Sequence, residues 1–149
     1  MEQRTLSRLL ATDAPAATVL IRLSVGLVFL SEGIQKYLFA AELGVGRFAK
    51  IGLPAPQLLA PLVGATEIVC GGAILLGILT RVAAVPLTVI MLVAIASTKI
   101  PILLSQGIWA MAHEARTDGA MLCGALFLLL VGAGPWSIDG RLRRDRRAR

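Results

Sequence analysis

The sequence predicts an all-α fold: a polytopic membrane bundle of four up-and-down helices with both termini in the cytoplasm. Three observations carry this. Hydrophobic residues make up 56% of the 149 and the mean hydropathy is +0.79, while charged residues are only 16%, against roughly 25% in a soluble domain. A soluble domain of this size cannot hide so much apolar surface, and low-charge aliphatic chains do not stay disordered. The apolar residues also gather into four long runs. Finally, Lys and Arg are unevenly distributed between the connections.

A membrane helix needs about 20 largely apolar residues to cross about 30 Å of hydrocarbon. The first run extends over about 16–40 and is interrupted by Arg22, Glu32 and Lys36. It is read as a helix and not as a cleaved signal peptide, because it is too long and holds an acid and two bases. The second run, about 56–80, contains Glu67 as the only charge between Lys50 and Arg81. The third, about 82–99, fills the 17 uncharged residues between Arg81 and Lys99. Its start is so close to the end of the second that the two must be antiparallel neighbours. The fourth, about 118–135, has no charge after Asp118. All four belong to one domain over 1–149, closed by a basic tail at 141–149.

Orientation follows from the positive charges on each side. The N-terminus, the Arg81 turn and the tail share one side and hold nine, against five for Lys36, Arg47, Lys50, Lys99 and Arg116. The richer side is the cytoplasmic one. Six of the twelve arginines lie in the last nine residues, so the net charge of +6 is largely a tail property. The tail anchors orientation and touches anionic lipid. Nucleic acid is not an expected partner, since no aromatic or groove-reading motif accompanies the charge.

Two connections then face outward. Residues 41–55 hold Gly44, Gly46, Gly52 and Pro54 and read as a turn-rich link. Residues 100–117 are uncharged through His113 and include Ile108, Trp109 and Met111. Fourteen residues of helix reach only about 21 Å, so this segment is expected to lie in the interface or dip back into the bundle.

Ionisable groups inside the membrane cost about 2.5–3.5 kcal/mol each, so each needs a partner or a role. Glu67 falls about 16 Å into the second helix, near the midplane. It reads either as a proton-exchanging acid or ligand contact, or as a polar pin between helices. Glu32 and Lys36, four apart with the acid first, suit a local ion pair or a share in lining a site. Arg22 projects to the same broad face and either snorkels or reaches toward Glu67. At the outer level, Lys99 ends the third helix, and His113, Glu114, Arg116 and Asp118 crowd the start of the fourth. Asp118 suits a helix N-terminus. By depth, Glu32, Lys36, Lys99, Arg116 and Asp118 gather in one outer pocket with Glu67 beneath. A lone His113 is too little for a metal site, so no metal is expected. Cys70 and Cys123 differ in depth by about 13 Å and do not form a disulfide.

Several stretches carry a family resemblance. They are Arg22-Leu-Ser-Val-Gly26 with Phe29, Gly33-Ile-Gln-Lys36, Gly52-Leu-Pro54, and Gly64-Ala-Thr-Glu67 with Gly71-Gly72 and Leu76-Gly77. Thr80-Arg81 and the closing Gly132-Ala-Gly134-Pro135-Trp-Ser137-Ile-Asp139 complete the set. In this order and spacing they resemble the DoxX family of small bacterial membrane proteins, over about residues 21–140. The resemblance implies a four-helix membrane bundle in which Arg22, Lys36 and Glu67 are the matching polar positions. Asp118 stands where the family's acidic residue opens the last helix. Relatives include a membrane subunit linked to thiosulfate:quinone oxidoreductase, and others linked to oxidative-stress complexes or metallopeptide gene clusters.

The expected function is therefore that of a redox-associated subunit of the bacterial inner membrane. Its polar site binds a quinone-like ligand and exchanges protons through Arg22, Glu32, Lys36, Glu67, Lys99 and Asp118, with His113 and Arg116 in support. No catalytic residue is assigned and no cofactor motif is evident. The expected partners are the bilayer, a membrane or redox protein, and a second copy of the chain. Two other readings stay open: a non-catalytic scaffold whose buried charges fix helix register, and a small-solute transporter.

Overall fold

The computed structural model describes residues 14–147, the side chains of 146 and 147 aside. Arg4 and Arg8, two of the charges used to assign orientation, and the last two tail residues lie outside the described residues. Every regular element within them is helical. Helix α1 is Thr18–Leu38, the short α2 is Val45–Lys50 and α3 is Pro56–Leu76. Helix α4, Thr80–Ala94, runs on through a π-helical turn, Ile95–Lys99, into α5, Ile100–Gln106. Helix α6 is Ile108–Val131 and α7 is Ile138–Arg147.

Three stretches are long and apolar enough to cross a membrane: α1 and α3, of 21 residues each, and the 27-residue run Thr80–Gln106. At 1.5 Å per residue the first two are about 32 Å long. The 24 residues of α6 are long enough too, but Glu114, Arg116 and Asp118 occupy its first half.

Helix α1 lies antiparallel against α3, and α4 against α6. The first pair is held close by glycine facing glycine. A Cβ on Gly33 would meet the Gly64 carbonyl oxygen at 2.7 Å, and one on Gly71 would meet the Leu30 amide nitrogen at 2.8 Å. Backbones this near gain dispersion contacts where lipid supplies no hydrophobic drive between helices. The four long helices meet in a core of Val25, Phe29, Ile74, Ala83, Ala84, Leu87 and Leu128. The outer surface is as apolar as the core: Leu20, Leu27, Leu62, Val69, Leu92 and Leu130 are all exposed. Such an exterior is suited to hydrocarbon, where helices satisfy their own backbone groups.

Three boundaries differ from the sequence expectation. The third helix extends beyond 99, and the segment 100–117 is helical and not a loop. It is α5 and the first turns of α6, separated by Gly107 at φ +87°. Helix α6 thus starts ten residues earlier than the expected 118. The run Ala110-Met-Ala-His-Glu-Ala-Arg116 is rich in strong helix formers, and a helix continuing past the hydrocarbon has no need of apolar residues. Hydropathy marked where the apolar stretch begins, not where the helix does. Asp118 is in consequence an internal residue of α6 and not its N-cap. At the other limit, Gly132 at φ +84° ends α6 short of the expected 135.

Candidate functional site

The polar side chains of the bundle divide between its two ends. At the end holding both terminal segments, Arg22 is 3% exposed and directs its guanidinium at four backbone carbonyls. Its Nε donates to Ile74 O at 2.9 Å and its Nη2 to Leu75 O at 2.6 Å. Its Nη1 donates to Ala133 O at 3.2 Å and Trp136 O at 2.7 Å. The first two acceptors belong to the last turn of α3, where carbonyls have no helical partner and a cation suits the helix dipole. The guanidinium therefore ties α1 to the end of α3 and to the segment after α6.

Asp139 supplies the complementary half. Its Oδ1 accepts from the Leu79 amide at 2.8 Å and its Oδ2 from the Thr80 amide at 3.0 Å. These open α4, whose N-cap residue Leu79 has no side-chain acceptor and sits at φ +45°. A remote carboxylate thus does the work of an N-cap and steadies a conformation rarely taken by a non-glycine residue. The Asp139 amide donates to Gly77 O at 2.9 Å. Gly77, at φ +68°, ends α3; a Cβ there would lie 2.8 Å from Arg22 Cζ and closer still to the Ser137 side chain. Ser137 Oγ donates to Gly134 O and accepts from the Gly140 amide. The closing sequence motif is therefore a clasp around the α3–α4 turn. Sequence reading quoted Ser137 and Asp139 without giving them a role. The pairing of a buried-type Asp with a helix start 59 residues away leaves no periodic signal.

The opposite end holds charges that meet each other. Lys36 Nζ lies 2.7 Å from Glu67 Oε2 and 3.8 Å from Glu32 Oε2, and it approaches the Glu32 carbonyl at 3.5 Å. Glu67 is 2% exposed, whereas the Glu32 side chain is 51% exposed. The cation therefore bridges a buried acid on α3 and an open acid on its own helix. At this distance the Lys36 ammonium is the charge partner of the buried Glu67 carboxylate. Beside it, Tyr37 donates to Pro61 O at 2.6 Å, a second α1–α3 tie.

A second pair joins Lys99 Nζ to Asp118 Oδ2 at 3.1 Å, linking the π turn to α6. A π turn displaces the residues that follow it around the helix axis, and Lys99 closes this one. Arg116 Nη1 lies 2.7 Å from His113 Nε2, both side chains being exposed on α6. The six residues expected to share one site thus occupy three places. Arg22 belongs to the clasp, Glu32, Lys36 and Glu67 form one cluster, and Lys99 with Asp118 forms another. Among the described residues no ion pair joins the two clusters, no group of three or more His, Cys, Asp or Glu is arranged for a metal, and Cys70 and Cys123 are free.

The DoxX family model matches residues 17–100. The chain belongs to the DoxX family. The match takes in Arg22, Glu32, Lys36, Glu67 and Lys99, while Asp118 and the closing Ser137-Ile-Asp139 of this DoxX protein lie beyond it. The chain is also 53% identical over 143 residues to "Uncharacterized membrane protein Rv3486" of Mycobacterium tuberculosis (strain ATCC 25618 / H37Rv), an alignment that covers 92% of this chain and 88% of the relative. No solved structure matches it. Family, relative and apolar exterior agree that this is a membrane protein.

Proposed function

We propose that this DoxX protein is an accessory subunit of the bacterial inner membrane that serves a quinone-linked redox partner, with Glu67, Lys36 and Glu32 as its ligand-contacting and proton-exchanging group. One observation supports this above the others. Arg22 and Asp139 spend their polar capacity on the backbone, and Lys99 spends its on Asp118. Glu67, in contrast, is a buried acid whose cation, Lys36, is shared with an exposed carboxylate. Lys36 connects it to the open carboxylate of Glu32, which gives a proton a route between buried and exposed oxygens. A quinone carbonyl needs a donor, which Lys36 provides, and an apolar slot for its ring and tail, which the lipid-facing sides of α1 and α3 provide.

The topology that goes with this reading has four crossings and cytoplasmic termini. The uncharged part of α6 after Asp118 is 13 residues, or about 20 Å, short of the hydrocarbon thickness. Pairing Asp118 with Lys99 neutralises one of the charges that the remaining depth carries, beside Glu114 and Arg116. The positive-residue count assigns the Arg81 turn and the basic tail to the cytoplasm.

The test is binding of a short-chain quinone analogue to protein in nanodiscs, wild type against Glu67→Gln and Lys36→Met. Loss of a charge-assisted contact is expected to weaken binding about tenfold or more. No binding, or identical binding by all three, overturns the ligand reading. The scaffold reading is the second, favoured by the saturation of Arg22 and Asp139 within the chain. It then requires that a membrane partner co-purify equally with wild type and Glu67→Gln.

A further inference from the structure

An open apolar groove of about 740 Å³ runs along the outside of the bundle between α3 and α4, at the end that carries the clasp. Its floor and walls include Val69, Ala73, Val82, Ala83 and Pro86. Its volume is in the range of small-molecule sites, about 300–1,000 Å³. Arg81 is the one charged residue lining it. The Arg81 Nε is buried with no hydrogen-bond partner, and no carboxylate among the described residues pairs with the side chain. This sets it apart from Arg22, which donates to four backbone carbonyls.

The groove's length has a natural scale. From Ile78 at the α3–α4 turn to Val69 is nine residues, or about 13 Å of helix. That is close to half of the roughly 30 Å hydrocarbon core. The groove therefore begins at the headgroup level, beside Arg81, and ends near the midplane, so it is as deep as one leaflet. Its walls offer no polar side chain at the inner end beyond Cys70. A ligand matching this surface has an anionic head and one aliphatic chain of leaflet length.

We propose that this groove holds one acyl chain of an anionic phospholipid, with the lipid phosphate on the Arg81 guanidinium. The site opens on the outside of the bundle, whereas Glu67 is buried within it, and it does not depend on the quinone reading. Charge complementarity supplies the selection: a guanidinium binds a phosphate in a fork geometry that a zwitterionic lipid's choline opposes. The apolar slot supplies retention.

The experiment exchanges the full-length protein into nanodiscs of equimolar phosphatidylglycerol and phosphatidylcholine, then counts lipids retained after mild detergent extraction by native mass spectrometry. Wild type is expected to keep phosphatidylglycerol in preference to phosphatidylcholine. One basic residue near an anionic headgroup is worth about fivefold in affinity, so Arg81→Gln is expected to lower retention by at least about that factor. Arg81→Lys, which keeps the charge, is expected to restore most of it; a variant that merely failed to fold would not separate in this way. Val82→Trp, at a lipid-exposed position lining the groove, is expected to exclude the chain while leaving Arg81 in place. The double variant Arg141→Gln/Arg144→Gln controls for the tail and is expected to stay within twofold of wild type. Equal retention of the two lipids, or a loss that follows the tail variant and not Arg81→Gln, overturns the proposal.

Discussion

The two ends of the bundle solve the same problem with different chemistry. Each must hold charged side chains among apolar helices. At the clasp, Arg22 and Asp139 face backbone carbonyls and amides that helix ends leave unpaired. At the other end, Lys36 and Lys99 face carboxylates. A charge satisfied by backbone is committed to one geometry, because its acceptors are part of the helices themselves. A charge satisfied by another side chain keeps alternatives, because either partner can change rotamer or protonation. The clasp is therefore suited to holding the fold, and the paired end to exchanging contacts.

The same substitution at three cations tests this contrast. Arg22→Met removes four hydrogen bonds to carbonyls at the end of α3 and in the segment after α6. It is expected to cost about 3–5 kcal/mol, read as a fall in unfolding midpoint in detergent, and a loss under 1 kcal/mol would break the comparison. Lys36→Met leaves Glu67 buried without its cation, with an expected cost of about 3 kcal/mol, and Glu67→Gln in the same chain should recover part of it. Such recovery identifies the cost as unpaired charge and not lost packing. Lys99→Met leaves Asp118, whose side chain is 25% exposed, able to reach polar surroundings. Its cost is expected near 1 kcal/mol or below, the scale of polar contacts measured between membrane helices. If Lys99→Met proved as damaging as Arg22→Met, the paired end would be as rigid as the clasp.

The first three long helices were legible in the sequence because their signal is local. A run of aliphatic residues bounded by Lys50 and Arg81, or by Arg81 and Lys99, fixes a helix whatever lies around it. Gly26, Gly33, Gly64 and Gly71, quoted in the sequence as parts of the family pattern, prove to be the positions where α1 and α3 pack closest. The partners of the buried charges were only half legible. Depth along each helix grouped Glu32, Lys36, Lys99, Asp118 and Glu67 at one end, but depth says nothing about rotation around the bundle axis. That rotation decides that Lys36 meets Glu67 and Lys99 meets Asp118, in two different helix pairs. The clasp was the least legible part. Arg22 read as a charge that snorkels or reaches toward Glu67, whereas its partners are carbonyls, which every residue has and no sequence pattern marks. The early start of α6 was missed for a related reason, since hydropathy reports where a helix meets lipid and is silent where it does not.

The arrangement around Arg22 also sets an order of events during synthesis. Two of its four acceptors, on Ile74 and Leu75, exist once the second long helix has been made. The other two, on Ala133 and Trp136, lie more than a hundred residues after Arg22 and are made later. Until then an arginine in the first helix has half of its final partners, and the end of the bundle stays open around it. The closing segment thus completes the arrangement: without residues 133–136, Arg22 in the first membrane helix keeps only its two acceptors on α3.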